Sequence, residues 1–225
     1  MNRPVLTRAD LVRMVRHQLF VDCASGQRAI QGARAWICPF ETLISFVPQG
    51  STVLDVGCGS GMFLGILAAT GAGITGVGVD VSPRAIETAK RMATRVKEHA
   101  PESSLEFLCL SPEAPWPGNG YGVVSAIDVL HHVPVEVQMK FLRGLFKQVK
   151  PGGILLYKDM ASRPLWRAAG NVLHDLLSAR ELIHVVPIRA VESLAESAGF
   201  RLLASDDSAI LWYGHEMRVF RAPES

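Results

Sequence analysis

Three glycines at alternate positions, Gly57, Gly59 and Gly61, follow the apolar residues Val53, Leu54 and Val56 and enclose Cys58 and Ser60. Residues without a Cβ let a ligand lie against the backbone, and the first N–H groups of a helix opening from such a turn are donors lacking intrahelical acceptors. A dinucleotide fingerprint would space these glycines G-x-G-x-x-G in order to hold a pyrophosphate at the helix N-terminus. Here the third glycine comes one residue early, and Met62 stands where that pattern wants it. Asp55, two residues ahead of Gly57, would repel a pyrophosphate but suits an ammonium group, directly or through water. The ligand so described carries an amine and little phosphate.

An acid followed by G-x-G-x-G at the end of a strand resembles the first motif of the class I, Rossmann-like S-adenosylmethionine-dependent methyltransferases. The resemblance covers about residues 50 to 160 and part of the C-terminal sheet. It implies S-adenosylmethionine as cofactor, S-adenosylhomocysteine as product, and no metal. It also implies cofactor contacts at Asp55, Gly57, Cys58, Gly59 and Gly61. Ile74 to Asp80 reads as the next strand ending in an acid, 19 positions beyond Gly61, and a carboxylate there can accept both ribose hydroxyls. Val81 follows it. After the third strand the family offers an acid or amide to the adenine amine; Ser111 departs from that, leaving the contact to backbone, to Leu110 or to Glu113. Asp128 and Val129, after the fourth strand, complete the expected cofactor side.

The segment Ser125 to Pro134 contains the candidates for chemistry, because it follows the strand that in this family ends beside the sulfonium. Methyl transfer is an in-line displacement, so the protein must align the acceptor, exclude water and often remove a proton. A histidine, with an ordinary pKa of about 6.5, suits that last task. His131 and His132 are therefore the candidate catalytic residues, with His132 the one expected to face the pocket. The alternative is that either caps the next helix or packs on the cofactor. Methyltransferases of base amines place Asp or Asn, Pro-Pro and an aromatic here to hold a flipped base. Asp128 is instead followed by Val129, Leu130 and His131, which argues against base amines.

These loops need a scaffold, and the chain supplies one in alternating strands and helices. Helices are expected from Thr7 to about Phe20 and from Gln27 to Ile37, as a cap over residues 1–50. Strands at Val53–Val56 and Ile74–Asp80 precede a helix that Ser82 caps and Pro83 opens, running to about Glu98. Further strands are expected at Leu105–Leu110 and Gly122–Ile127, a helix at Val135–Val149, a turn at Lys150-Pro151-Gly152-Gly153 and a fifth strand at Ile154–Lys158. Such alternation implies an α/β, doubly wound, mostly parallel seven-stranded sheet. A helical insertion at 161–187, a helix at Ile188–Ser197 and an antiparallel pair, Phe200–Ala204 with Glu216–Arg221, close the fold. One domain is expected over 1–225, its cofactor-binding core at 51–160.

Composition narrows the partners. The 225 residues carry a formal net charge of +2 and are 48% hydrophobic, ordinary for a globular protein and too near neutral for a polyanion partner, so no nucleic acid is expected. Cys23, Cys38, Cys58 and Cys109 form no C-x-x-C pair, which fits a reduced cytoplasm and gives neither a zinc nor a disulfide pattern. No apolar run approaches the roughly 20 residues of a membrane span. The expected acceptor is a small molecule, apolar or aromatic, lined by candidates Trp166, His174, His184, Trp212, Tyr213 and His215, with oxygen favoured over nitrogen or carbon. Arg28 and Arg34 are candidates for a carboxylate partner. Monomer and dimer both stay open. The rivals are a nicotinamide oxidoreductase, which lacks its glycine spacing and a Tyr-x-x-x-Lys donor here, a non-catalytic cofactor-binding protein, and a protein or peptide methyltransferase.

Overall fold

The computed structural model describes residues 6–161, 185–210 and 213–224. Its contacts divide the chain into two compact units, Met1–Pro117 and Gly118–Ser225. In the first, Thr7 caps α1 (Arg8–Met14): its hydroxyl accepts from the Asp10 N–H at 3.2 Å and its own N–H donates to the Asp10 carboxylate at 3.1 Å. This reciprocal pairing satisfies donors that a helix start leaves open. The helix then widens into a π-helical turn at Val15–Leu19 instead of running on as the expected α-helix. α2 (Ser25–Ile37) and α3 (Phe40–Ser45) lead to β1 (Thr52–Val56).

β1 pairs in parallel with β2 (Thr75–Asp80), and β2 with β3 (Ser104–Cys109). α4 (Met62–Ala69) is buried from Met62 through Ala68, so it is apolar all round rather than striped. α5 (Pro83–His99) is opened by Pro83 and capped by Ser82, whose hydroxyl accepts from Ala85 N–H at 3.3 Å. Its buried stripe Ile86, Ala89, Met92 and Val96 recurs at helical spacing and packs against β2 and β3.

In the second unit, β4 (Tyr121–Ile127) pairs in parallel with β5 (Val149–Met160). The Lys150–Gly153 segment, expected as a turn ahead of the strand, lies within β5 as a bulge: from the Tyr121–Val149 pair to the Val123–Ile154 pair the register advances two residues on β4 and five on β5. Gly152, at φ +66°, takes the left-handed backbone that this detour requires. α6 (Val135–Gln148) joins the two strands, and α7 (Ile188–Ser197) precedes β6 (Arg201–Asp206). β8 (Tyr213–Arg221), after the two-residue β7 (Ala209–Ile210), runs antiparallel to both β5 and β6.

The order inside the two units is thus β3-β2-β1 and β4-β5-β8-β6, the pairings of a doubly wound, mostly parallel sheet with an antiparallel last strand. Arg218, 4% exposed on β8, bonds the Glu192 carboxylate at 2.5 Å and also that of Asp207, which ties α7 and the end of β6 to the sheet. Most of the expected 161–187 insertion, with Trp166, His174 and His184, lies outside the described residues, as does Trp212.

Candidate active site

The glycine turn belongs to the first unit, and two of its three glycines prove to have different reasons for being glycine. Gly57, Gly59 and Gly61 all take positive φ, at +73°, +53° and +77°, a backbone that a Cβ penalises. A Cβ on Gly61 would lie 2.6 Å from the Phe107 ring and 2.9 Å from Met92, so this glycine makes room for the packing of α4 on the interior. A Cβ on Gly59 would meet nothing within 4 Å. The missing side chain of Gly59, unlike that of Gly61, therefore leaves open space.

Asp80 holds this turn from the end of β2. Its Oδ2 accepts from the Gly59 N–H at 2.8 Å and its Oδ1 from the Ser82 N–H at 2.9 Å. The Gly57 and Cys58 N–H groups both donate to the Val79 carbonyl, at 2.8 and 3.0 Å. Each Asp80 oxygen keeps a second lone pair for another donor. Val81 beside it is 62% exposed, a large apolar side chain in solvent directly after the carboxylate. The backbone N–H of Leu110 donates to the Asp80 carbonyl at 3.0 Å, so the β3 exit is pinned to the β2 exit. Ser111 is exposed at its edge.

Asp55 is 2% exposed, buried within β1. Burial, followed by the charges of Asp55 and Asp80, pushes the Cys58 thiol far above its ordinary range; it stays protonated and is no nucleophile. One contact was not legible in the sequence. The buried Ser60 hydroxyl donates to Gln31 Oε1 at 3.1 Å, bringing α2 onto the turn. Gln31 could have been suspected only as the one amide on the buried face that it shares with Gly32 and Ala35. Of the two arginines expected near a carboxylate, Arg34 is exposed and Arg28 half-buried.

The second unit holds the other expected residues at the exits of β4 and β5. The chain leaves β4 through Asp128, the single non-glycine with positive φ among the described residues, at +54°. Its N–H donates to the Lys158 carbonyl at 2.8 Å, and its Oδ1 accepts from Lys158 Nζ at 2.5 Å. Burial would raise the Asp128 carboxyl, but the charge and hydrogen bond of Lys158, with His131 and His215 behind them, bring it below its ordinary value. Lys158 itself is wholly buried.

Val129 then leads into a 3-10 turn, Leu130–His132. His131 is 3% exposed, with its Nδ1 against the Asp159 Oδ1 and its N–H donating to Asp159 Oδ2 at 3.2 Å. His132 is exposed, its ring centroid 4.1 Å from that of His131. Neither histidine caps α6: its N-cap is Pro134, with no side-chain bond. Gln138 instead reaches back from α6 to the carbonyls of Leu130 and Val133, at 3.3 and 3.0 Å, and fastens the turn.

Asp159 and Gln138 carried no local signal, since their partners lie 28 and 8 or 5 residues away in sequence. His215 is 1% exposed on β8, in register with Met160. The side chain of Tyr213 lies outside the described residues. Tyr157 is held far above the ordinary phenol range, first by burial and then by the charges of Asp159, Glu216 and Asp128. Among the described residues, no three His, Cys, Asp or Glu side chains are grouped to hold a metal ion, and no helix is long and apolar enough to cross a membrane.

Comparison with known proteins places this arrangement. The chain is 33% identical over 140 residues to the mitochondrial ubiquinone biosynthesis O-methyltransferase of Schizosaccharomyces pombe, covering 62% of this chain and 47% of that protein. It is 30% identical over 115 residues to the ubiquinone biosynthesis O-methyltransferase of Pseudomonas fluorescens Pf0-1, covering 51% and 47%. The chain thus spans about half the length of the curated relatives it matches.

Among solved structures, magnesium protoporphyrin IX methyltransferase of Synechocystis PCC 6803, crystallised with S-adenosylmethionine, superposes with a TM-score of 0.66 at 16% identity over 98% of this chain and 100% of that one. The cyclase SpnF superposes with a TM-score of 0.66 at 17% identity over 100% and 99%. At such identities these likenesses speak for the fold. Residues 29–205 match the profile described as a methyltransferase domain, and the chain belongs to that family, the class I S-adenosylmethionine-dependent methyltransferases.

Proposed function

We propose that the protein moves a methyl group from S-adenosylmethionine to an oxygen of a small, apolar or aromatic acceptor, leaving S-adenosylhomocysteine. The observation that carries this reading is the buried pair of His131 and Asp159 at the exits of β4 and β5. A hydroxyl is a poor nucleophile until its proton leaves, and a histidine oriented by a carboxylate is suited to take it. The names of the ubiquinone relatives, both O-methyltransferases, support oxygen as the accepting atom.

The residues of the glycine turn fit the cofactor. Open space at Gly59 admits a ligand against the backbone, and the remaining Asp80 lone pairs can accept two ribose hydroxyls. Val81 and Leu110 offer an apolar flank to the adenine, with Ser111 at its edge. Gly57, Cys58 and Gly61 shape the turn, and Asp55 provides negative charge for the ammonium group, directly or through water. Asp128 and Val129, at the exit of β4, are assigned to the cofactor by the family pattern alone. When bound, the cofactor supplies a methyl group activated by positive sulfur.

With the His131 Nδ1 turned to Asp159, its Nε2 is the atom that takes the acceptor's proton, and Asp159 stabilises the resulting cation. His132, exposed and with its ring tilted against that of His131, passes that proton to solvent. In this role His132 serves the base instead of being it.

A second reading keeps the cofactor but not the transfer, since a cyclase shares the fold. The two separate in one assay. Purified protein with methyl-labelled S-adenosylmethionine and a panel of phenols, carboxylates and amines should yield a labelled O-methyl product, detected by mass spectrometry. His131→Gln and Asp159→Asn should lower kcat by about 10²–10⁴-fold while calorimetric affinity for S-adenosylhomocysteine stays as in the wild type. Tight S-adenosylhomocysteine binding with no labelled product across the panel favours the second reading, and preferential NAD binding removes both.

A further inference from the structure

Lys158 and Asp159 are neighbours on β5, so their side chains leave the strand on opposite faces. Both nevertheless bond the loop that leaves β4. Lys158 holds Asp128 through Nζ and through its backbone carbonyl, while Asp159 holds His131 through ring and backbone. The register sets this up: Ile127 pairs with Lys158, so the first residues past β4 emerge beside the two β5 side chains.

Two features of the Asp128 end cost stability in isolation. Lys158 has no solvent exposure at all, and desolvating an ammonium is expensive even when it is paired. Asp128 adopts a left-handed backbone, at φ +54°, which few side chains take. A buried apolar residue and a glycine would satisfy the same positions at lower cost. What the ion pair adds is a fixed direction for the chain as it turns from β4 into Val129, Leu130 and His131.

We infer that Lys158 is a positioning residue: by clamping Asp128 in its left-handed turn it sets the start of the 128–132 loop and so the placement of the His131 ring against Asp159. The kinetic consequence rests on the methyl-transfer reading, whereas the placement of the ring does not.

The test uses the full chain with Lys158→Met/Asp128→Asn, which removes both charges together and leaves no buried ion uncompensated. Asparagine tolerates the left-handed region about as well as aspartate, so the turn loses its clamp but not its backbone preference. Three quantities are read: the thermal midpoint, the side-chain 15N resonances of His131, assigned by their loss in His131→Gln, and kcat against KM for the acceptor found by the labelling assay. The expected result is a thermal midpoint near that of the wild type, displaced or broadened His131 resonances, and a kcat lower by about tenfold or more with KM for the acceptor little changed.

Lys158→Met alone, which leaves only the part-exposed Asp128 carboxylate without its partner, should displace the same resonances and covers the case in which the double variant fails to fold. Wild-type His131 resonances in whichever of these variants fold would overturn the inference, as would a double variant that regains kcat together with its thermal midpoint, because the pair would then act through stability alone. A wild-type protein with no turnover would count against the methyl-transfer reading and leave the spectroscopic result to decide the role of Lys158.

Discussion

Replacing Gly59 and Gly61 separately by alanine should give opposite pairs of defects, although the two glycines stand two residues apart with similar backbones. At Gly61 the new methyl would lie 2.6 and 2.7 Å from two Phe107 ring carbons and 2.9 Å from Met92. Phe107 is 2% and Met92 1% exposed, so neither can step aside into solvent. Left-handed backbone costs a non-glycine residue about 1–2 kcal/mol, and overpacking a core costs about 1–3 kcal/mol. The lost flexibility of the unfolded chain returns about 0.4–1 kcal/mol.

Gly61→Ala should therefore lose about 2–4 kcal/mol, which for a urea dependence of about 2 kcal/mol per molar is a fall of about 1–2 M in the unfolding midpoint. Gly59→Ala bears only the backbone cost, at φ +53° with nothing within 4 Å, and should lose about 1 kcal/mol or less, under about half a molar. Its methyl group instead fills the space assigned to the cofactor, so calorimetry should show S-adenosylhomocysteine binding weakened by more than about tenfold. Phe107→Leu added to Gly61→Ala should cost less than the sum of the single changes, because the ring that collides is gone. Equal midpoints for the two alanine variants would refute the division of labour. So would a Gly59→Ala protein that binds S-adenosylhomocysteine like the wild type, or strict additivity with Phe107→Leu.

Asp80→Ala should weaken S-adenosylhomocysteine binding by about 1–3 kcal/mol through lost charged hydrogen bonds, since the same carboxylate also holds the Gly59 N–H; unchanged affinity in calorimetry would remove its ribose role. The Asp128 carboxyl sits below its ordinary value in the folded protein because Lys158 outweighs burial. Its contribution to stability is therefore complete above the unfolded value of about 3.9 and is lost as pH falls through the lower folded value. Urea midpoints measured from pH 5 to pH 2.5 should fall less steeply in Asp128→Asn than in the wild type, and parallel curves would show that the pair is not coupled to folding. Iodoacetamide at pH 8 should label Cys109, which is exposed, well before Cys58, which is buried and held protonated; equal rates in a peptide map would contradict the burial of the glycine turn.

Much of the architecture was legible along the chain because its signals are local. Ser82 and Pro83 announce α5, the Thr7 and Asp10 pair announces α1, and Ile188–Ser197 is a helix with the bounds its periodicity implied. Where the structure departs, a longer-range pairing overrides the local signal. The Lys150–Gly153 segment has turn residues, yet the pairing of Val149 and Ile154 on either side of it with β4 draws it into β5 as a bulge. The helix expected to Phe20 ends in a π-helical turn that buries Val15 and Leu19, where packing wins over regular hydrogen bonding.

The chemistry divides along the same line. The ligand turn could be read from sequence because its parts are backbone conformations: three glycines at left-handed positions, an acid before them and an acid at the end of the next strand are each fixed by spacing. That pattern determined the family and the donor. Spacing could not say that Gly61 serves Phe107 while Gly59 leaves open space, since the colliding ring comes from a strand more than forty residues on. Nor could it choose between two adjacent histidines. The register of β4 on β5 sets their surroundings apart, bringing Asp159 to His131 across 28 residues and Lys158 to Asp128 across 30, and leaving His132 exposed beside them. Side-chain pairing between strands depends on which residues end up opposite one another, and that is a property of the assembled sheet.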